Sequence, residues 1–448
     1  MSTLQPLSGW ARWPRRTCNT APLDPGRLAD LSPQAGQGMI ARGHGRSYGD
    51  IAMNPDLTLM GAQRNRILSF DAASGELVAE AGLSIAEILQ VFVPRGWFPA
   101  VTPGTKFVTL AGLIAVDAHG KNHHKVGSFG DHVLWFDLYC ADGQTRRCSR
   151  EQNSDLFNAT IGGNGLTGHI LTVCTQLLQV HSGWITQKTL QASDLDQAIE
   201  IFEAHHDATY SVAWIDCLAK GAARGRSLVF LGEHATPDAL DGAKAERPFD
   251  IPARRNLRMP MDAPSWALNS YTLRAFNRLY YKVNSGKPET QLVDYDTYFY
   301  PLDAILEWNR MYGRGGFAQY QCAFPLSSSR EALLKLLGAI SDAGLGSFLA
   351  VLKRFGPGSP ERPLSFPMEG YTLALDFQLS PEALTLMTEM DEITCQHGGR
   401  LYMAKDSRMS QATLEAGYAD GVPIFRTLRD ATGSRPLFQS LLSQRLNL

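Results

Sequence analysis

VTPGTKFVTLAGLIAVDAHGKNHH, residues 101–124, is the stretch around which the rest of the chain is arranged. Its Pro103-Gly104 pair predicts a tight turn that leaves amide N–H groups pointing outward. The small residues Thr109, Ala111, Gly112 and Ala115 follow, and their lack of bulk lets a ligand lie directly against the main chain. The stretch closes on His119, Gly120, Lys121, Asn122, His123 and His124, a denser set of polar groups than a loop needs for solubility. Free amides, a shelf of small residues and a polar cluster together suit a flat aromatic cofactor with a charged tail. A glycine-rich crossover between core elements is the plainer reading of the same letters, and the stretch alone leaves both open.

On its N-terminal side, MIARGHGRSYGD (39–50) predicts a short strand running into a loop with Gly43, Gly45 and Gly49. Such a loop offers backbone N–H groups to a phosphate, with Arg42 or Arg46 adding charge. Ser47 stands where the dinucleotide GxGxxG pattern needs its third glycine, and no helical pattern follows, so a nicotinamide-binding Rossmann unit is disfavoured. Residues 1–37 read as irregular. ILSFDAASGELVAEA (67–81) alternates about a Ser74-Gly75 turn and predicts a hairpin. Ser84 and Glu87 form a capping box for a helix that Gly96 stops.

Beyond the central stretch, residues 133–149 predict a hairpin turning at Asp142-Gly143, and 162–180 a glycine-rich turn feeding a long strand. These elements make the first part of the chain an α+β unit. From about 184 the pattern changes to helix, strand and hairpin signals that suggest an antiparallel sheet with helices on one face. Residues 233–290 are the least regular part, with Lys244, Arg247, Arg254, Arg255 and Arg258 interleaved with Met259, Met261 and Trp266. So long a loop is a functional lid, a disordered insert or, with basic and apolar residues mixed, a contact for an anionic lipid surface.

The chain of 448 residues is too long for one ordinary core, so two domains are expected. Lys+Arg 42 against Asp+Glu 44 leaves no field to attract nucleic acid. The seven cysteines are scattered and lack a CxxC pair, which argues against a disulfide framework or a structural zinc and fits a reducing compartment. His119, His123 and His124 have no second ligand cluster, so no metal is expected. No apolar run of signal-peptide or membrane-spanning length is read; a cytoplasmic protein, at most peripheral at the inner membrane, is the expectation.

GRSYGD (45–50), VTPGT (101–105), DAHGKNHH (117–124), GSFGDHV (127–133) and GGNGLTG (162–168) resemble the flavoprotein oxidoreductases of the vanillyl-alcohol oxidase type. YPLDAILEWNRMYG (300–313), QYQ (319–321), LSFP (364–367) and GGRLYMAKDSR (398–408) carry the resemblance across nearly the whole chain. It implies an α+β, two-domain PCMH-type FAD-binding fold. An FAD-binding domain (1–183) would be followed by an inserted substrate-binding domain of antiparallel sheet plus helices (184–399), and a segment (400–448) would return to the FAD domain.

By the same resemblance, Arg42, Gly43, Gly45, Arg46, Ser47, Tyr48 and Gly49 would hold the FAD pyrophosphate, with Pro103, Gly104, Thr109 and Gly112 on its second side. Asp117, His119, Gly120, Asn122 and Tyr402 would reach the ring, and Ile170 the adenine end. In many members a histidine in the region of His119 forms a covalent bond to the flavin, but the nearest resemblance implies noncovalent FAD. Lys405, with Tyr402 and His119, would be catalytic, as a base or as a charge stabilising the reduced ring. Lys121 and Lys353 would take a phosphate, and Trp214, Tyr300, Gln319, Gln321 and Thr372 would line the pocket. Thr372 and Ala374 replace the asparagine and cysteine of the nearest members, which leaves the fit to substrate open.

The implied reaction is FAD-dependent oxidation of the ribose C2 hydroxyl of a polyprenyl-phosphoryl ribose. An NAD(P)H-dependent reductase partner would complete an epimerisation to the arabinose. A soluble sugar or alditol oxidase and a non-catalytic flavin scaffold are the alternatives.

Overall fold

The computed structural model describes residues 2–448 except 31–35, 255–256, 265, 267 and 287. Arg255, read above as part of a basic stretch, lies outside the described residues. Among the described residues the strands form three sizeable sheets. The first has the order Thr3–Ser8, Arg15–Pro22, Leu57–Met60, Met39–Arg42, and its last two pairings are parallel. Two strands thus occupy the N-terminal region that the sequence reads as irregular. Thr3–Ser8 is mostly exposed and carries Pro6, so it has neither the burial nor the alternation that marks a strand, and backbone pairing holds it.

The second sheet is antiparallel, running Ile67–Phe70, Glu76–Glu80, His169–Gln179, Val133–Tyr139, Thr145–Ser149, with Trp97–Pro99 also on His169–Gln179. Both expected hairpins are here. The helix Ile85–Phe92 follows its reciprocal Ser84–Glu87 cap and buries Ile85, Ile88, Leu89 and Phe92 at helical spacing. The shelf of small residues is itself a helical turn, Leu110–Ala115, capped by Thr109, whose Oγ1 accepts from the Gly112 amide at 3.2 Å.

The third sheet is wholly antiparallel and eight-stranded, opening at Thr290–Asp294 and Trp184–Ala192 and closing at Phe317–Pro325 and Arg400–Leu401. The helices Leu195–Ala204, Leu326–Ala343 and Pro381–Gln396 pack on it, burying Leu333, Leu336, Leu337, Leu386 and Met390 with Leu352, Leu373 and Leu375. Leu326–Ala343 starts from Pro325 with no side-chain cap, and Ser329 Oγ donates to the carbonyls of Phe324 and Pro325. The region read as least regular holds a four-turn helix, Ser270–Ser285.

The C-terminal segment is sewn back onto the first two sheets. Gln439 N donates to Met39 O and Leu441 N to Met53 O, both at 2.9 Å. Arg429, fully buried, donates from Nε to Leu166 O at 3.0 Å and from Nη2 to the carbonyls of Ser434 and Phe438. No helix among the described residues is long and apolar enough to cross a membrane.

Candidate active site

A cavity of about 580 Å³ runs from the edge of the first sheet, past the 101–121 stretch, to one face of the eight-stranded sheet. Its near wall is made by the loop after Met39–Arg42. Gly45 adopts φ +64°, and a Cβ there would stand 2.2 Å from Arg42 Nη2. Arg42 is folded under the loop, donating to Ser8 O at 2.7 Å, and burial lowers its pKa. Arg46 covers the Trp10 ring at 4.1 Å. Gly43 meets the second loop, because a Cβ on it would lie 2.5 Å from Thr109 Oγ1.

The 43–50 loop is joined to the chain around Lys405. Tyr48 N donates to Ala404 O at 2.9 Å, and a Cβ on Gly49 would stand 1.9 Å from Asp406 O, so only glycine allows this approach. Arg445 then bridges Asp50 and Asp406 at 3.0 and 2.9 Å. As a result the Lys405 ammonium lies 3.7 Å from the centre of the Tyr48 ring. Tyr402 precedes it, with its N–H on Gln321 O and its hydroxyl donating to Val116 O at 3.0 Å.

His119 is buried against Phe355, Phe366 and Tyr402. Gln321 Nε2 donates to His119 Nε2 at 3.0 Å and to Thr372 Oγ1 at 3.2 Å. Burial first, then Lys353, His123 and Lys405, push the His119 pKa well below the usual histidine value, so the ring is neutral. Lys121, bonded to Tyr298 O, is lowered to about 7 by burial and by Lys353, and Lys353 is lowered to about 8 by burial.

Of the residues expected at the site, Gly49, Asp117, Asn122, Tyr300 and Thr372 stand one layer behind the cavity wall, and the others line it. Asp117, at φ +42°, accepts from Ser128 Oγ at 2.5 Å, Ser365 Oγ at 2.5 Å and Gly130 N at 3.1 Å, and pairs with Arg362. Its carboxylate is thus spent on holding the turn that delivers His119. Asn122 ties its loop to Ala100 O, Tyr300 OH bonds Thr102 Oγ1 at 2.7 Å, and Thr372 orients Gln321. His123 Nδ1 accepts from Gly356 N, and His124 bonds Ala208 O.

Asp376 escaped the sequence reading. It is 1% exposed, accepts from Gln319 Nε2 and from Tyr312 OH at 3.2 Å, and lies directly across from Gln319 in the sheet. Burial raises its pKa, against the pull of Gln319, Lys405 and Tyr312; burial lowers that of Lys405, against Asp376 and with Lys353. The signal was available: Thr372, Ala374 and Asp376 alternate along one face of YTLALDFQ, and an aspartate is out of place on a buried strand unless it has work there.

The wall accepts a flavin dinucleotide. Its near half is lined by glycines 43, 45, 82, 104, 112, 165 and 168, and a Cβ on Gly104 would meet nothing within 4 Å. Along the cavity His119 Nδ1, Arg46 Nε and Gln319 Oε1 are buried without a protein hydrogen-bond partner, donors and an acceptor left for a polar ligand. Residues 27–149 match the model of the FAD binding domain. The fold and the cavity therefore define an FAD-dependent oxidoreductase.

Over its full length the chain is 35% identical to decaprenylphosphoryl-beta-D-ribose oxidase of Mycolicibacterium smegmatis, covering 98% of that protein. It is 27% identical to L-gulonolactone oxidase of Bos taurus over 39% of each chain. To cytokinin dehydrogenase 7 of Oryza sativa it is 29% identical over 30% of this chain and 25% of the relative. The chain belongs to the vanillyl-alcohol oxidase type of FAD-dependent oxidoreductases, in the family of the decaprenylphosphoryl-ribose oxidase.

Proposed function

We propose that the protein oxidises the ribose C2 hydroxyl of a polyprenyl-phosphoryl ribose to the 2-keto sugar. The observation that carries this reading is that Lys121, Lys353 and Lys405 face one cavity together, with no ion pair to a carboxylate among the described residues. Clustered buried ammonium groups repel one another and call for an anion. A phosphate between Lys121 and Lys353 answers that charge, while Gln319, Gln321 and Trp214 offer a sugar polar and aromatic walls. The full-length likeness to an oxidase named for a phosphoryl ribose supports the same choice.

FAD, when bound, supplies the ring that accepts a hydride from the carbinol carbon. Lys405 Nζ takes the hydroxyl proton: burial keeps a neutral amine accessible near neutrality, and Tyr48 and Asp376 then stabilise the ammonium. Gln321 holds His119 as a donor from Nδ1, and Phe355, Phe366 and Tyr402 exclude water from that ring. With Nε2 engaged and the ring neutral, we read FAD as held noncovalently. The 2-keto product requires an NAD(P)H-dependent reductase partner to reach the arabinose, and a prenyl-linked substrate requires peripheral contact with a membrane.

Anaerobic mixing of the yellow holoenzyme with polyprenyl-phosphoryl ribose is expected to bleach the flavin band, while free ribose and alditols leave it unchanged. Bleaching by free sugars at equal rates would replace this reading with a soluble sugar oxidase. A band unmoved by either would leave a non-catalytic scaffold. Acid precipitation is expected to release all the flavin into the supernatant.

A further inference from the structure

Helix Ser270–Ser285 turns one face to the cavity and the opposite face to solvent, and the two faces differ in an informative way. On the inner side Leu273 and Asn277 are buried, Asn277 Nδ2 donates to Asp216 Oδ1 at 2.8 Å, and Tyr280 packs on Trp214 with ring centres 4.8 Å apart. Tyr280, Asn284 and Trp214 all line the cavity. On the outer side Leu279 and Val283 are 62 and 52% exposed and Tyr271 is 84% exposed, while Phe276 stands at the flank and packs on Tyr280 and Phe348 with ring centres 5.8 and 5.9 Å away. Trp266 and Met261, on the chain leading into the helix, are 75 and 65% exposed. Large apolar side chains exposed together on one element mark an interaction surface.

The charge on the same helix is of one sign. Arg274, Arg278 and Lys282 recur at every fourth residue, the helix contains no acidic residue, and among the described residues none of the three forms an ion pair. The chain as a whole is near neutral at −2, so this is a local asymmetry. At 100° per residue Leu279 and Val283 form a strip beside the strip of Arg278 and Lys282. Apolar side chains flanked by cations are the pattern of a helix lying in a lipid headgroup layer. A second copy of the chain would bring these cations against each other, whereas anionic headgroups complement them.

We propose that the outer face of Ser270–Ser285, with Met261 and Trp266, docks on an anionic bilayer. The inner face of the same helix roofs the cavity, so docking sets the cavity beside the membrane and lets a prenyl chain stay in lipid while its phosphoryl sugar enters. This rests on the reading of a lipid-linked substrate. The test uses full-length FAD-loaded protein and vesicles of phosphatidylcholine alone or with about one third phosphatidylglycerol. The wild type is expected to sediment with the anionic vesicles at least about tenfold more than with the neutral ones, given about fivefold per basic residue.

Arg278→Glu/Lys282→Glu should remove that preference, and Leu279→Ser/Val283→Ser should weaken sedimentation at equal charge. Both variants should turn over a water-soluble short-prenyl phosphoryl ribose at the wild-type rate and the long-prenyl substrate in vesicles more slowly. Equal sedimentation of wild type and both variants overturns the docking face. A change in oligomeric state on gel filtration with no change in vesicle binding overturns it in favour of a second copy. Vesicle binding that follows the predicted order without turnover of either substrate would sustain the surface and refute the proposed reaction instead.

Discussion

Arg362 and Arg445 are largely buried beside carboxylates that answer them; Lys121, Lys353 and Lys405 are buried beside one another. Arg362 lies between Asp117 and Asp131, at 3.4 and 2.7 Å, and Arg445 between Asp50 and Asp406. In both, the charge is neutralised within the protein and the result is rigidity: one cluster holds the turn before His119, the other holds the 43–50 loop to the chain at Lys405. Lys121 and Lys353 have no such neutralisation, Lys405 has only the pull of Asp376 without an ion-pair contact, and burial depresses the pKa of all three. A satisfied buried charge is architecture, while an unsatisfied one marks where a ligand of opposite sign is expected.

The comparison breaks most visibly at Arg362. Arg362→Met leaves Asp117 and Asp131 without their cation, and is expected to cost about 3–5 kcal/mol of stability by chemical denaturation. Flavin reduction in the surviving folded protein should stay near wild type. Lys405→Ala should do the reverse, with an unchanged or higher melting temperature, retained FAD, and reduction by substrate slowed roughly 10²–10³-fold. Lys405→Arg, a permanent cation, should not restore the rate; if it does, Lys405 acts through its charge and not as a base.

Asp376→Asn sharpens the contrast by removing the carboxylate whose charge favours the Lys405 ammonium. Without it the Lys405 ammonium is less favoured, so the acid limb of kcat/KM should move down by about one pH unit, with about a tenfold loss above it. An unmoved limb would make Asp376 a structural residue only. The smallest effect concerns the phosphate. Lys121 and Lys353 carry charge below about 7 and about 8 and lose it as pH rises through those values. The kcat/KM for a phosphoryl substrate should therefore fall severalfold between about pH 7 and about pH 9. A neutral alcohol that the enzyme accepts should show no such fall.

Much of the site was legible because its parts are local. Gly45 with its positive φ, the Thr109 cap, the Ser84–Glu87 box and the alternation of Gln319 with Gln321 each depend on neighbours a few residues away. The N-terminal strands were not legible, since exposed Thr3–Ser8 gains its structure from a partner strand and not from its own pattern. Helix Ser270–Ser285 was readable in its own letters, since Leu273, Phe276, Tyr280 and Val283 recur at helical spacing, but the irregular stretch before it set the reading of the whole region.

The local chemistry of this protein was determined by its sequence alone: glycine-dense loops that admit a phosphate-tailed ring, and a family motif that singles out Lys405. Which charges are answered was decided only by the tertiary structure. Gly49 lets Asp406 come within contact, Arg445 secures the join, and sheet register sets Asp376 beside Gln319. The pKa of a buried group depends on what surrounds it in space, and residues far apart along the chain become neighbours only when the sheets close around the cavity.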